Sequence, residues 1–85
     1  MYRIVHDEEV VSQIAALPVD SLDAFAELCA TLSVAPWNGE PLNPDNPDGA
    51  VRCWVFMWPT GSGQAIFMID ERDRAVHILR LQWLA

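Results

Sequence analysis

Val51-Arg52-Cys53-Trp54-Val55-Phe56-Met57-Trp58, Gln64-Ala65-Ile66-Phe67-Met68-Ile69 and Ala75-Val76-His77-Ile78-Leu79-Arg80-Leu81-Gln82-Trp83-Leu84 are three apolar runs that follow one another with only two short breaks. The first break, Pro59-Thr60-Gly61-Ser62-Gly63, has the composition of a hairpin loop, and the second, Asp70-Glu71-Arg72-Asp73-Arg74, that of a charged, solvated turn. Runs of six to ten residues rich in β-branched and aromatic side chains predict strands. Short breaks join such strands as antiparallel neighbours. The C-terminal part therefore predicts a three-stranded antiparallel meander.

Strict alternation sets the faces. In the first run Val51, Cys53, Val55 and Met57 point one way, and Arg52, Trp54, Phe56 and Trp58 the other. The aromatic face admits three uses: core beneath helices, a stacking platform, or a surface for another protein. In the last run alternation puts Val76, Ile78, Arg80, Gln82 and Leu84 on one face, and His77, Leu79, Leu81 and Trp83 on the other.

Upstream the period changes. Tyr2-Arg3-Ile4-Val5-His6 alternates and predicts a short first strand. Asp7 is placed to cap a helix whose start carries Glu8 and Glu9, and Val10, Val11, Ile14, Ala15 and Leu17 form its stripe before Pro18. A second helix begins at Asp20 or Ser21. Leu22, Phe25, Ala26, Cys29 and Leu32 recur in it at three- and four-residue steps, and Pro36 ends it near Val34. The short link predicts an antiparallel helical hairpin. From Pro36 to Gly49, four prolines and two glycines predict a long loop without regular structure, pinned by Trp37 and Leu42. The fold class is α+β: an N-terminal strand, a helical hairpin and a meander, in a single domain over residues 1–85.

Twelve acids oppose five bases, all five of them arginines, and the formal net charge is −7. Binding to a free phosphate backbone draws most of its strength from cations, so this balance speaks against free RNA or DNA as a partner. Acidity suits solubility or a basic partner. Cys29 and Cys53 lack metal-ligand spacing and read as reduced thiols. No His, Cys, Asp and Glu cluster has metal spacing, no glycine loop cradles phosphate, and no cofactor is expected. The N-terminus turns acidic where a secretory signal stays apolar, which predicts a soluble, cytoplasmic protein without membrane contact.

The order strand, helix, helix, long loop and meander resembles the RelE/ParE superfamily of bacterial toxins. The resemblance runs through Tyr2 to His6, Ala16-Leu17-Pro18, Leu28 to Leu32, Gly39-Glu40-Pro41-Leu42, Arg52, Gly61 to Asp70 and Ala75 to Leu81. It implies a sheet with the helices on one face and a concave working surface on the other. In the ribonuclease branch, cationic and aromatic groups on that surface cut messenger RNA in the ribosome. In the other branch the target is DNA gyrase, and an antitoxin commonly silences either kind.

Arg52 matches an arginine of the family pattern. Gln64 stands where a second arginine is usual, Trp83 and Leu84 fall near a basic or histidine position, the tyrosine or histidine common after the last strand has no counterpart before Ala85, and there are no lysines. The resemblance thus implies a type II toxin-like protein with a degenerate ribonuclease site that acts by binding a protein partner, an antitoxin or a cellular target. Trp54, Trp58, Gln82 and Trp83 are its candidate partner-binding residues. The first alternative is a divergent ribosome-dependent endoribonuclease that uses Arg52, His77 and Arg80, with ribosome and messenger RNA as partners. The second is a homodimeric, non-catalytic interaction module. For Arg52 an ordinary reading also stands: a stem over the core and a head paired with an acid. For His77 it is a hydrogen-bonded structural histidine.

Overall fold

A computed structural model describes residues 1–84. The chain is an α+β fold of two helices and a five-stranded mixed sheet. The elements are β1 (Arg3–His6), α1 (Glu8–Ala16), α2 (Leu22–Val34), β2 (Glu40–Pro41), β3 (Val51–Trp58), β4 (Gly61–Asp70) and β5 (Ala75–Leu84). The sheet order is β1-β5-β4-β3-β2. β1 lies parallel to β5, and every other pair is antiparallel.

Asp7 caps α1 through its side chain, which accepts the Val10 N–H at 2.9 Å. Glu8 and Glu9 then face the positive end of the helix. The turn before α2 is a 3-10 segment, Val19–Ser21. The buried stripe of α2 is Phe25, Leu28 and Leu32, while Leu22 and Ala26 are exposed. α1 rests mainly on β5 and α2 on β3 and β1, so each helix packs against the sheet more than against the other. One apolar cluster joins Val10, Leu17, Phe25, Leu28 and Leu32 to Phe56, Phe67, Ile69, Val76, Ile78 and Leu81.

The 36–49 segment is more ordered than its prolines predicted. It opens with a 3-10 turn, Pro36–Asn38, and its Glu40–Pro41 pair forms a fifth strand on the edge of β3. Gly39 makes this possible: a Cβ there would meet the Phe67 ring at 2.8 Å and the Cys53 carbonyl at 3.0 Å.

The β3–β4 turn is tighter than predicted, because Gly61, Ser62 and Gly63 belong to β4. Gly61 pairs with Trp58 and Gly63 with Phe56. A Cβ on Gly61 would meet the Trp58 indole at 2.7 Å, and one on Gly63 the Phe56 ring at 2.6 Å. The glycines give these rings room to lie across the sheet.

β5 departs from simple alternation. Ile66 pairs with Arg80 and Phe67 with Ile78, so Leu79 is an extra residue on β5. This bulge shifts the phase of everything after it. Val76, Ile78, Leu81 and Trp83 share the helix-covered face, and His77, Arg80 and Gln82 share the open one. The predicted grouping of Arg80 and Gln82 with Val76 and Ile78, and of His77 with Leu81 and Trp83, is therefore corrected.

Candidate functional site

Both helices lie on one side of the sheet, so the other side has no cover within the described residues. Its rows follow from the register. Val51, Met68 and His77 form one row, Cys53, Ile66 and Arg80 the next, and Val55, Gln64 and Gln82 a third. Met57, Ser62 and Leu84 close the series at the hairpin end. Most of these side chains are half-buried by their neighbours, but Val55, Met57 and Leu84 are 55%, 73% and 80% exposed. A hollow of about 370 Å³ lies at this end, lined by Val55, Ser62, Gln64, Gln82, Trp83 and Leu84 among others.

Arg52 sits on the opposite, covered side. It is 7% exposed. Its Nε donates to the Gly39 carbonyl at 2.9 Å, and its Nη1 to the carbonyls of Pro47 and Gly49, both at 3.1 Å. Its guanidinium also lies 5.3 Å from the Trp37 ring centre. The expected acid partner is replaced by three backbone carbonyls of the proline-rich loop. The only ion pair among the described residues joins Arg74 to Glu71 at 3.0 Å.

His77 and Arg80 are on the open face, so the structure does not gather the three residues of the ribonuclease alternative. The bulge brings His77 and Arg80 to one side, and Arg52 is turned away through the sheet. Arg3, exposed and paired with Ala75, is the third base of the open face. None of these three lines the 370 Å³ hollow.

The four candidate partner-binding residues also separate. Trp58 is 7% exposed and belongs to the core. Trp54 and Trp83 are half-buried against that core on the covered side. Only Gln82 is both exposed and on the open face. Of the three uses open to the β3 aromatics, the structure selects core, because α2 lies over them.

The residues that alternation alone did not single out are Gln64, Ile66 and Met68 on β4, with Met57 on β3. A sequence signal was present: no charged residue occurs from Cys53 to Ile69. In a chain that is 20% charged, such a run marks a surface without solvating charges as well as a core.

A small polar network ties the termini of the elements together. Glu71 Oε1 accepts from the Tyr2 hydroxyl and, at 2.7 Å, from Trp37 Nε1. Arg74 Nη1 donates to Glu71 Oε2 at 3.0 Å and to the Tyr2 oxygen at 2.9 Å, and its guanidinium lies 4.0 Å from the Tyr2 ring centre. Hydrogen bonds from Trp37 and then Tyr2 hold the Glu71 carboxyl below its ordinary value. The bond to Glu71, more than burial, raises the Tyr2 hydroxyl. On α2, burial pushes the Cys29 thiol up to about 11, which keeps it protonated and unreactive at neutral pH.

No protein-family model matches the chain, and neither a curated protein nor a solved structure matches it. No helix among the described residues is long and apolar enough to cross a membrane.

Proposed function

We propose that this chain is a toxin-like protein of the RelE/ParE kind whose ribonuclease chemistry is reduced, and that it acts by binding a protein partner on the open face of its sheet. The observation that carries this reading is the position of Arg52. The arginine that matches the family pattern is spent on three loop carbonyls on the covered side. The open face keeps Arg3, His77 and Arg80 around a half-buried apolar floor of Val51, Ile66 and Met68. Cleavage at a phosphate needs positive groups placed around the developing charge. A floor of half-buried apolar side chains with a polar rim suits a protein surface better. The element order of strand, helix, helix, loop and meander, with both helices on one face of the sheet, supports the reading.

The test is induced expression scored for growth. The reading expects arrest that persists in Arg80→Ala and is relieved by Ile66→Lys, which puts a charge in the apolar floor. Normal growth with confirmed soluble wild-type protein contradicts it. So does arrest that Arg80→Ala abolishes while Ile66→Lys leaves it intact.

A further inference from the structure

Charge is divided unevenly between the two sides of the sheet. Of the twelve acids, Asp7, Glu8, Glu9, Asp20, Asp23 and Glu27 belong to the helical layer and its turns, and Asp45, Asp48, Glu71 and Asp73 to loops. The strands of the open face carry only two, Glu40 on β2 and Asp70 at the end of β4. Two arginines of that face, Arg3 and Arg80, match them. A chain of net charge −7 thus has one face on which the formal charges balance.

The middle row of the face places its charges at opposite rims. Glu40 lies opposite Cys53, Cys53 opposite Ile66 and Ile66 opposite Arg80, so one line across four strands runs from an acid over two apolar side chains to a base. At the usual strand spacing the two charged residues stand about 14 Å apart. Both are exposed. Neither has an ion-pair partner in the chain, because the one ion pair among the described residues joins Arg74 to Glu71. Asp70, by contrast, is already engaged, since its side chain accepts the Asp73 N–H at 3.1 Å.

A row with an acid at one end and a base at the other is complementary to its own copy turned end for end. We propose that a second copy of this chain covers the open face, sheet against sheet, about a two-fold axis that runs along the strands above the space between Cys53 and Ile66. That axis exchanges the two rims, so Glu40 of each copy meets Arg80 of the other. Ile66 of each lies over Cys53 of the other, and in the adjoining rows Met68 lies over Val51 and Gln64 over Val55. A two-fold axis across the strands at this row sets Arg80 against Arg80 and Glu40 against Glu40, so the charges select the first arrangement. It is the aligned packing of two sheets about 10 Å apart.

The two kinds of contact have different jobs. The floor of Val51, Cys53, Ile66 and Met68 is half-buried and uncharged, and its burial supplies the affinity. The rim pairs are exposed, so each adds little strength but fixes the register and rejects the wrong one. Both helical layers end on the outside of the dimer, with two sheets between them. That separation exceeds the screening length of about 8 Å at physiological salt, which blunts the repulsion between two acidic chains. The proposal goes beyond the toxin-like reading and stands without it. A second copy and a different protein exclude each other on this face, and sedimentation of the purified chain reads the dimer whatever the growth assay shows.

Sedimentation velocity from roughly 1 to 100 µM tests it, a range suited to a modest interface. The expected result is a species of twice the 9.5 kDa chain mass that forms with rising concentration. Arg80→Glu is expected to weaken dimerisation about tenfold or more, since it turns both rim pairs repulsive. Arg72→Glu, the same charge change at an exposed site on the β4–β5 turn, is expected to leave it nearly unchanged. Glu40→Arg is expected to weaken it too, although that change makes the chain less acidic and general repulsion smaller. The double variant with Glu40→Arg and Arg80→Glu rebuilds both pairs with their signs exchanged and is expected to restore the dimer. Circular dichroism confirms the fold of each variant. A monomer at the highest concentration overturns the proposal and leaves the face to a different protein. A dimer that Arg80→Glu leaves intact, or that the folded double variant fails to restore, overturns it as well.

Discussion

Phe67 and Ile66 are neighbours on β4, and the sheet separates them completely. Phe67 is 0% exposed beneath the helices, and Ile66 is half-buried in the middle of the open face. The same contrast holds for the arginines. Arg52 is enclosed and bonded to three carbonyls, and Arg80 stands exposed with no bonded partner among the described residues. Residue type therefore says little about role in this sheet, and the face decides it. On the covered face even an arginine is structural. On the open face even isoleucine and methionine are left over from folding and available to a partner.

The sharpest way to break this contrast is to empty each face in turn. Phe67→Ala is expected to cost about 3–5 kcal/mol, since it opens a cavity in the middle of the core. Ile66→Ala is expected to cost about 1 kcal/mol, in line with partial burial. Urea unfolding of both variants measures the difference, and equal losses would mean that the open face is core as well.

The arginine pair comes next. Arg52→Ala leaves three carbonyls without their charged donor and is expected to cost about 2–4 kcal/mol, while Arg80→Ala stays within about 0.5 kcal/mol. Loss of the 36–49 segment's protection from proteolysis in Arg52→Ala alone would sharpen the assignment.

Gly61→Ala probes the covered face from its rim. The added methyl meets the Leu84 backbone carbonyl first and the Trp58 indole at 2.7 Å, so both the end of β5 and the ring must shift, with an expected loss of about 1–3 kcal/mol in the same unfolding assay. A neutral result would mean that both Trp58 and the end of β5 are loosely held.

The smallest expected effect is on pH dependence. Glu71 is held below the ordinary 4.5 by Trp37 and Tyr2, so its contribution is present above that value and fades as pH falls through the lowered one. Tyr2 is raised above 10.0, so its contribution is present below that value and fades as pH rises through the raised one. Both side chains of the Glu71–Arg74 pair are about half exposed, which keeps the effect modest. Glu71→Gln is expected to flatten the pH dependence of the unfolding midpoint at both ends.

Much of this fold was legible in the sequence. The bounds of β3 and β5, the Asp7 cap and the end of α2 at Val34 follow from alternation, capping chemistry and the proline after the helix. The site was less legible, for specific reasons. A bulge leaves no composition mark, so Leu79 could not be seen to move Arg80 and Gln82 across the sheet. Gly61-Ser62-Gly63 reads as a turn until Phe56 and Trp58 are seen to need glycine opposite them. Arg52 is bound by carbonyls, which every residue possesses, so no partner residue announced its burial. β2 is two residues long, too short for any period to show.

The most direct measurement of the central claim is cleavage of messenger RNA on programmed ribosomes by the purified chain. With Arg52 sequestered beneath the sheet, the account predicts no cut above background for the wild type. Cleavage that disappears in Arg80→Ala, with the fold of that variant intact, would contradict it.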